Sequence, residues 1–560
     1  MKDFLWINHV PLTETEKKKR NKERLLLILS GILLAASFPP IPFPAPLLLF
    51  VALIPYLIVI EKREKLIEIN RATYLMAFIF CLFTLYWVGS WQKEADPFLM
   101  ISGILLVFVN PVFFLIPSTL LYFSRKVFPQ KYSLYLLPVF YVTYEFTYMI
   151  TDLSFPWLSL GNGLSLFTSF IQIADIIGSL GLSLVIVLLN VLIYKSVAAY
   201  KINKKLFFLN SSIAFLIFIL ILIYGMLKLN SPQHPNTKIK VGLIQPNLDP
   251  WEKWKGHDLN QLTEMYLDLS VKAVNEGARI IIWPETALPI YLRSDMYNDI
   301  IGTIYHFCDS NQVYLLTGMP DIKFYFNDKN IPNDAKYSSA NDYYYATYNS
   351  ILLFRPNNQS VESYGKMKLV PFGERVPFVD ALPFLGKLIK WGVGLSGWNV
   401  GKDTTVFYLP IQNIRSAVNN NDTIKIGGIV CYESIYPTLV SEFVKRKADF
   451  MAVVTNDSWY GNLSGPYQHK EFAALRAVEN RRTVVRAANG GISCIINPLG
   501  KTVVQTQMFT KTYIVGDVVI DESETFFTNH SLLIPILCSA FSIWVIGIFS
   551  LMKLKKSLKL

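Results

Sequence analysis

Residues 424–433 read IKIGGIVCYE. A short run of β-branched and aliphatic residues, broken by Lys425 and two glycines, has the character of a buried strand. It stops at Cys431, and SIYPTLVSEFVKR (434–446) then takes up a helical pattern. In α/β folds a residue at the carboxyl end of a strand sits where loops gather reactive side chains. A thiol beside a helix N-terminus is also expected to have its thiolate favoured. Cys431 therefore reads as a candidate nucleophile, and the rest of the chain says what it could act on.

Working outward, comparable strand-like runs recur at Ile239–Ile244, Arg279–Trp283, Val313–Thr317, Asn349–Phe354, Phe450–Thr455, Thr483–Ala487, Ile492–Ile496 and Thr512–Ile520. Amphipathic helical stretches at about 258–276, 297–310 and 468–480 lie between them. Alternation of this kind predicts an α/β sandwich. The segment 325–347, rich in Asn, Asp, Lys, Ser and Tyr, reads as a surface excursion. Two further strand ends carry useful chemistry: RIIIW runs into Pro284 and Glu285, and YGKMKLVPFGE places Lys366 eight residues before Glu374. A nearby ammonium would favour a thiolate, and a carboxylate can take the thiol proton. Any one of these residues alone reads as readily as a cap or a solvated charge. Their joint order, each beside a strand end, points to chemistry.

The 560 residues are 52% hydrophobic and only 17% charged, too apolar for one large soluble enzyme. Apolar stretches near the length that crosses a bilayer run at about 25–38, 44–60, 73–91, 98–123, 133–150, 173–194, 206–229 and 531–552. The expected organisation is a basic N-terminus (1–24), seven spans (25–230), an inserted α/β domain (231–528), a last span (529–553) and a basic tail (554–560). Lys and Arg cluster at 17–24, 62–71, 125–131, 195–205 and 553–559, while 39–43 and 151–172 have none and 92–97 has only Lys93. By the positive-inside rule both termini are cytoplasmic and the insert lies outside, on the periplasmic face in a bacterium. These anchors account for most of the net charge of +12, so no nucleic-acid partner is implied.

Five cysteines (81, 308, 431, 494 and 538) contain no CxxC pair, which suggests neither a disulfide framework nor a zinc site. Cys81, Cys308, Cys494 and Cys538 read as packing groups. A GxGxxG string at Gly392, Gly394 and Gly397 follows no clear strand and opens no helix, so it does not support a dinucleotide site.

The strings WPE (283–285), KMKLVPFGE (366–374), CYE (431–433), NDSWYG (456–461), GPYQH (465–469), the Arg476, Ala477 and Glu479 element, and FPWL (155–158) resemble the nitrilase superfamily. Within it they resemble the membrane-bound apolipoprotein N-acyltransferase family, along nearly the whole chain. The resemblance implies a polytopic α-helical membrane domain of about eight spans carrying an αββα nitrilase-type domain. It further implies Glu285 as general base, Lys366 as oxyanion stabiliser and Cys431 as nucleophile. Glu374, Tyr432, Glu433, Asn456 and Trp459 would support them. A lid tryptophan follows the Gln245 and Asn247 element; Trp254 fits, and Trp251 is close enough to leave both open. Tyr460 stands where the family more often has Phe.

The implied reaction is ping-pong. Cys431 takes an acyl chain from a phospholipid, typically the sn-1 chain of phosphatidylethanolamine, as a thioester. It then passes the chain to the α-amino group of an N-terminal diacylglyceryl cysteine on an apolipoprotein. No cofactor or metal is needed, and nothing demands more than a monomer. A membrane-tethered nitrilase-type amidase is the alternative, although it leaves eight spans unexplained; a transporter would call for more intramembrane charge than Glu145 and Asp175. The apolar stretch 383–399, with Trp391 and Trp398, reads either as an arm dipping into the outer leaflet or as a loop buried against the domain.

Overall fold

A computed structural model describes residues 13–93, 95–231, 237–254, 256, 258–326, 331–332, 334–379, 397–410 and 423–558. Among these, five helices are long and apolar enough to cross a membrane: Leu66–Gly89, Pro97–Val127, Ala174–Ala199, Lys204–Asn230 and Phe526–Ser557. The other three expected spans are helical but differ from expectation for local reasons. Stretch 25–38 is the apolar second half of a helix Glu14–Ala36 whose first half carries Lys17, Lys18, Lys19 and Arg20. Pro44, Pro46 and Pro55 divide 44–60 into a 3-10 turn Ala45–Phe50 and a short helix Ile54–Ile60, as proline cannot continue an earlier helix. Stretch 133–150 gives a helix of 13 residues, Leu137–Met149, about 20 Å long at 1.5 Å per residue. It is tied to the last span by a 2.8 Å bond between the Thr143 and Ser542 hydroxyls.

The inserted domain holds β1 (Lys238–Gln245), β2 (Ile280–Trp283), β3 (Tyr314–Tyr325), β4 (Lys336–Ser338), β5 (Tyr343–Arg355), β6 (Asn358–Gly365), β7 (Val406–Pro410), β8 (Thr423–Val430), β9 (Phe450–Thr455), β10 (Thr483–Ala488), β11 (Cys494–Ile496), β12 (Thr502–Gln505) and β13 (Thr512–Val519). They make two sheets, ordered β13-β1-β2-β3-β5-β4 with β6 on β5, and β12-β11-β10-β9-β8-β7. Strands β1, β2 and β3 run parallel, as do β8, β9 and β10. Successive residues of a strand face opposite sides. Thus Ile280 and Ile282 enter the core shared with Ile426 and Val453 of the second sheet, while Ile281 and Trp283 face a cluster with Tyr266 and Ile304 of the outer helices Leu259–Asn275 and Asn298–Asn311. The predicted αββα sandwich is therefore present. Among the described residues of the 325–347 excursion, β4 pairs with a β5 that begins at Tyr343, so part of it extends the sheet. Trp391 lies outside the described residues, as do Gly392 and Gly394. Trp398 is buried against the Tyr291 ring at 6.2 Å, which fits a packed position.

The domain sits on the loops at one end of the helix bundle. Buried Arg476 pairs with Glu479 at 2.7 Å, donates to the Ile435 carbonyl and reaches the Ser179 hydroxyl. Glu479 in turn accepts from the Ser179 N–H at 2.7 Å. Asp175 takes bonds from Arg481 and Tyr224, and Glu145 accepts from the Leu160 N–H. These two acids are thus structural partners of the bundle end. Gly178, with φ +65°, breaks the helix Ala174–Ala199; a Cβ there would meet the Phe527 ring at 2.3 Å.

Candidate active site

The carboxyl ends of β2, β8 and β9 converge, and with the segment after β6 they deliver Glu285, Cys431, Thr455 and Lys366 to one place. Gly318 on β3 allows the approach, since a Cβ there would lie 2.6 Å from the Glu285 Cα. The Lys366 ammonium is 2.8 Å from Glu374 Oε1 and 3.6 Å from Glu285 Oε1. Asn349 on β5 bridges the two acids, its side-chain N–H group donating to Glu285 at 2.8 Å and to Glu374 at 3.0 Å. The other Glu374 oxygen accepts from the Val370 N–H at 2.8 Å. The Cys431 thiol faces the Glu285 carboxylate and receives the Thr455 hydroxyl at 3.2 Å. Four of the five cysteines are buried, and Cys431 alone is partly open.

Electrostatics divide the labour. Burial opposes the Lys366 charge, but Glu374, Glu285 and Cys431 outweigh it and hold the ammonium above the ordinary lysine range. Burial pushes the Glu285 carboxyl up, Lys366 pulls it back and Glu374 adds to the rise. Burial and then the Glu285 carboxylate raise the Cys431 thiol, against the pull of Lys366. The thiolate expected from a helix N-terminus is therefore not the resting state. Cys431 opens a 3-10 helix of only five residues, which supplies little dipole, and two carboxylates, Glu285 and Asp457, face the sulfur. The Cys431 backbone sits at φ +50°, a sharp turn for a residue with a Cβ.

Supporting residues sort by what they touch. Glu433 accepts from the Val430 N–H on one oxygen and from Tyr364, Met367 and Lys368 on the other, joining the Cys431 turn to the Lys366 segment. Tyr432 points toward the bundle, bonding the Ser154 carbonyl at 2.7 Å and stacking on Phe155. Asn456 accepts from Asn489, which also clasps both backbone groups of Leu248. The Trp459 ring meets Trp251 edge-on at 4.8 Å. Asn456 and Trp459 thus hold the 247–254 arm. Trp251 is buried there, whereas Trp254 is half-buried, with an indole N–H lacking a partner among the described residues.

Sequence reading missed a charged layer beneath the cysteine. Asp457 bonds His469 at 2.9 Å and pairs with Arg486, and His469 Nε2 contacts the Ser434 hydroxyl at 2.8 Å and the Cys431 carbonyl at 3.2 Å. Burial alone would raise Asp457, yet Arg486 and His469 hold it well below the carboxylate range. Burial and then Arg486 push His469 down. Cys431, Asp457 and His469 offer ligand atoms within 4.8 Å of one another. The Arg486 guanidinium pairs with Asp457 Oδ2 and lies 3.1 Å from His469 Nδ1, so the donor set fits an ion-paired network better than a cation. Asp457 and His469 stood inside the quoted strings; Asn349, between Thr347 and Ser350 on β5, gave no comparable signal.

Residues 240–526 match the carbon-nitrogen hydrolase family, and residues 30–192 match the apolipoprotein N-acyltransferase N-terminal domain. The apolipoprotein N-acyltransferase of Chlorobaculum tepidum is 33% identical over 527 residues, 92% of this chain and 95% of that protein. That of Geobacter metallireducens is 29% identical over 515 residues, 91% and 92% of the two chains. Among solved structures, an amidase from Nesterenkonia aligns at 15% identity over 52% of this chain and 93% of that one, with a TM-score of 0.33. Matched along both its membrane half and its soluble half, the chain belongs to the apolipoprotein N-acyltransferase family, membrane-bound acyltransferases of the nitrilase superfamily.

Proposed function

We propose that this protein transfers a fatty acyl chain from a phospholipid to the N-terminal amino group of diacylglyceryl apolipoproteins through a thioester on Cys431, with Glu285, Lys366 and Cys431 as the catalytic set. The observation that carries the reading is the meeting of these three side chains at separate strand ends, with Lys366 already neutralised by Glu374 at 2.8 Å. Glu285 is thereby left able to accept a proton. In the first half-reaction the Cys431 S–H proton passes to Glu285 as sulfur bonds to the ester carbonyl carbon. Lys366 faces the resulting oxyanion. The C–O bond then breaks, and the lysophospholipid alcohol leaves with the Glu285 proton. In the second, the acceptor amine attacks the thioester, its proton moves to Glu285, the C–S bond breaks and the thiol is regenerated. Glu374, Tyr432 and Glu433 position these groups, and Trp254, with its unpaired indole on an arm held by Trp251, is the lid.

The sn-1 chain of phosphatidylethanolamine is the proposed donor. Incubation of the purified protein with that lipid and no acceptor is expected to add one acyl mass that hydroxylamine removes, mapped to the peptide containing Cys431. Released free fatty acid with no adduct would instead indicate hydrolysis, the activity of the alternative amidase. That alternative gains no support from the match of residues 30–192 to an N-acyltransferase domain.

The protein is a membrane protein, and we place its catalytic domain on the periplasmic face with both termini cytoplasmic, on the strength of the Lys and Arg distribution. In intact bacterial cells a membrane-impermeant maleimide is expected to label Ser360→Cys, on the exposed start of β6, and to spare Ser557→Cys at the end of the last helix. The reverse pattern would invert the topology.

A further inference from the structure

Lys253 is a charge in an unexpected place. In PWEKW (250–254) it reads as a solvated residue, and its neighbour Glu252 is exposed, yet Lys253 itself is 1% exposed. Its ammonium donates to the carbonyl of Thr286, the residue after Glu285, whose φ is +47°. Burying an ammonium is costly unless a partner compensates. Burial pushes Lys253 down to about 7, and the Glu285 carboxylate is the acid that pulls it back up.

Holding the arm in place does not require this charge. Asn489 clasps Leu248, the Asp249 carboxylate caps the Trp251 and Glu252 N–H groups, and Trp251 packs on Trp459. None of these contacts reaches Glu285. A neutral residue would fill the Lys253 space at less cost, and what its ammonium meets is the Thr286 carbonyl, one residue along from the buried Glu285. We propose that Lys253 is a positioning residue for Glu285, fixing the Thr286 peptide and keeping the neighbouring carboxylate ionised while the Trp254 arm is seated. The inference rests on the assignment of Glu285 as general base.

Among the described residues the groups facing Glu285 are Asn349 from β5, Lys366 after β6, Glu374 from the following loop and Cys431, with the Lys253 ammonium of the arm one residue along at the Thr286 carbonyl. Glu374 and burial favour the neutral acid, while Lys366 and Lys253 favour the carboxylate. Removing one of the two cations therefore raises the pH at which Glu285 becomes a base. Trp254 is adjacent in sequence, so withdrawing the arm also withdraws the ammonium. Base strength is then coupled to closure of the lid.

The test is single-turnover acylation of the full-length protein by phosphatidylethanolamine in nanodiscs, followed by intact mass from pH 5 to 9. Lys253→Met is expected to move the acid limb of the rate profile upward by about one pH unit, which is about tenfold in rate on that limb. Lys253→Arg, which keeps the charge, is expected to restore the wild-type limb. A Lys253→Met profile that overlies wild type, or one slowed equally at every pH, overturns the proposal. If Lys253→Met loses its cooperative thermal transition, Lys253→Arg decides alone: a wild-type acid limb supports the proposal, and a displaced one overturns it. Failure of the underlying assignment looks different, because Glu285→Gln would then acylate at the wild-type rate.

Discussion

Glu285→Gln is expected to lower acyl-enzyme formation by about 10³-fold, within the range that general-base catalysis contributes, while the protein keeps its thermal transition. The substitution is nearly isosteric. A Gln oxygen can still accept from the Asn349 side chain, which now donates to Glu285 at 2.8 Å, and Lys366 keeps its closer partner Glu374 at 2.8 Å. What disappears is the acceptor for the Cys431 proton. That loss is severe here because the thiol is not pre-ionised: burial and the Glu285 carboxylate both push it up, so the proton must move during attack. The wild-type rate should rise with pH through a carboxyl group displaced above its ordinary range, since burial and Glu374 raise Glu285 more than Lys366 lowers it. The variant should show no such limb. Acylation within tenfold of wild type, read by intact mass in one turnover, would remove Glu285 from the role of base.

The parts of this centre that were legible in the sequence are those where a strand end and a short string coincide. Glu285 follows RIIIW and Cys431 follows IGGIV, each announced by a change from apolar run to reactive residue, and Lys366 stands at a fixed distance from Glu374. The αββα sandwich was legible for the same reason, since short continuous apolar runs such as Ile280–Trp283 mark strands buried on both faces. Through-space effects were not. The protonation of Cys431 depends on Glu285 and Asp457, brought to it only by the sheets, and local reading saw just the helix that follows. Lys253 gave no signal, because burial of a charged side chain leaves no periodic trace. The helix bundle was read one degree too regularly, because hydropathy registers Pro44, Pro46 and Pro55 as tolerable in an apolar window although the backbone breaks at them.

Glu433→Ala is expected to reduce acylation on the order of 10²-fold and to lower thermal stability as well, although Glu433 touches neither the thiol nor the lysine ammonium. Its carboxylate is fully buried. It gathers the Val430 N–H at 2.8 Å, the Tyr364 hydroxyl at 2.8 Å, the Met367 N–H at 2.6 Å and the Lys368 N–H at 3.2 Å. Val430 precedes the nucleophile, and Met367 follows Lys366. One side chain therefore fixes the distance between the two catalytic loops. Truncation strips four donors of their acceptor, those of Val430 and Tyr364 buried and those of Met367 and Lys368 half-buried, and each buried unsatisfied group costs about 1–3 kcal/mol. Displacement of a reacting group by about 1 Å can cost about 10²-fold in rate. Glu433→Gln separates the two contributions. Its amide can present an oxygen to the three donors from Tyr364, Met367 and Lys368, but its NH₂ then faces the Val430 N–H, donor against donor. The fold should be largely kept and the nucleophile turn disturbed, so the Gln variant should recover most of the lost stability and much less of the lost rate. Equal recovery of both in thermal melts and single-turnover acylation would make Glu433 a structural acid only. A rate deficit that persists in a stable Gln variant assigns it the spacing of Cys431 and Lys366.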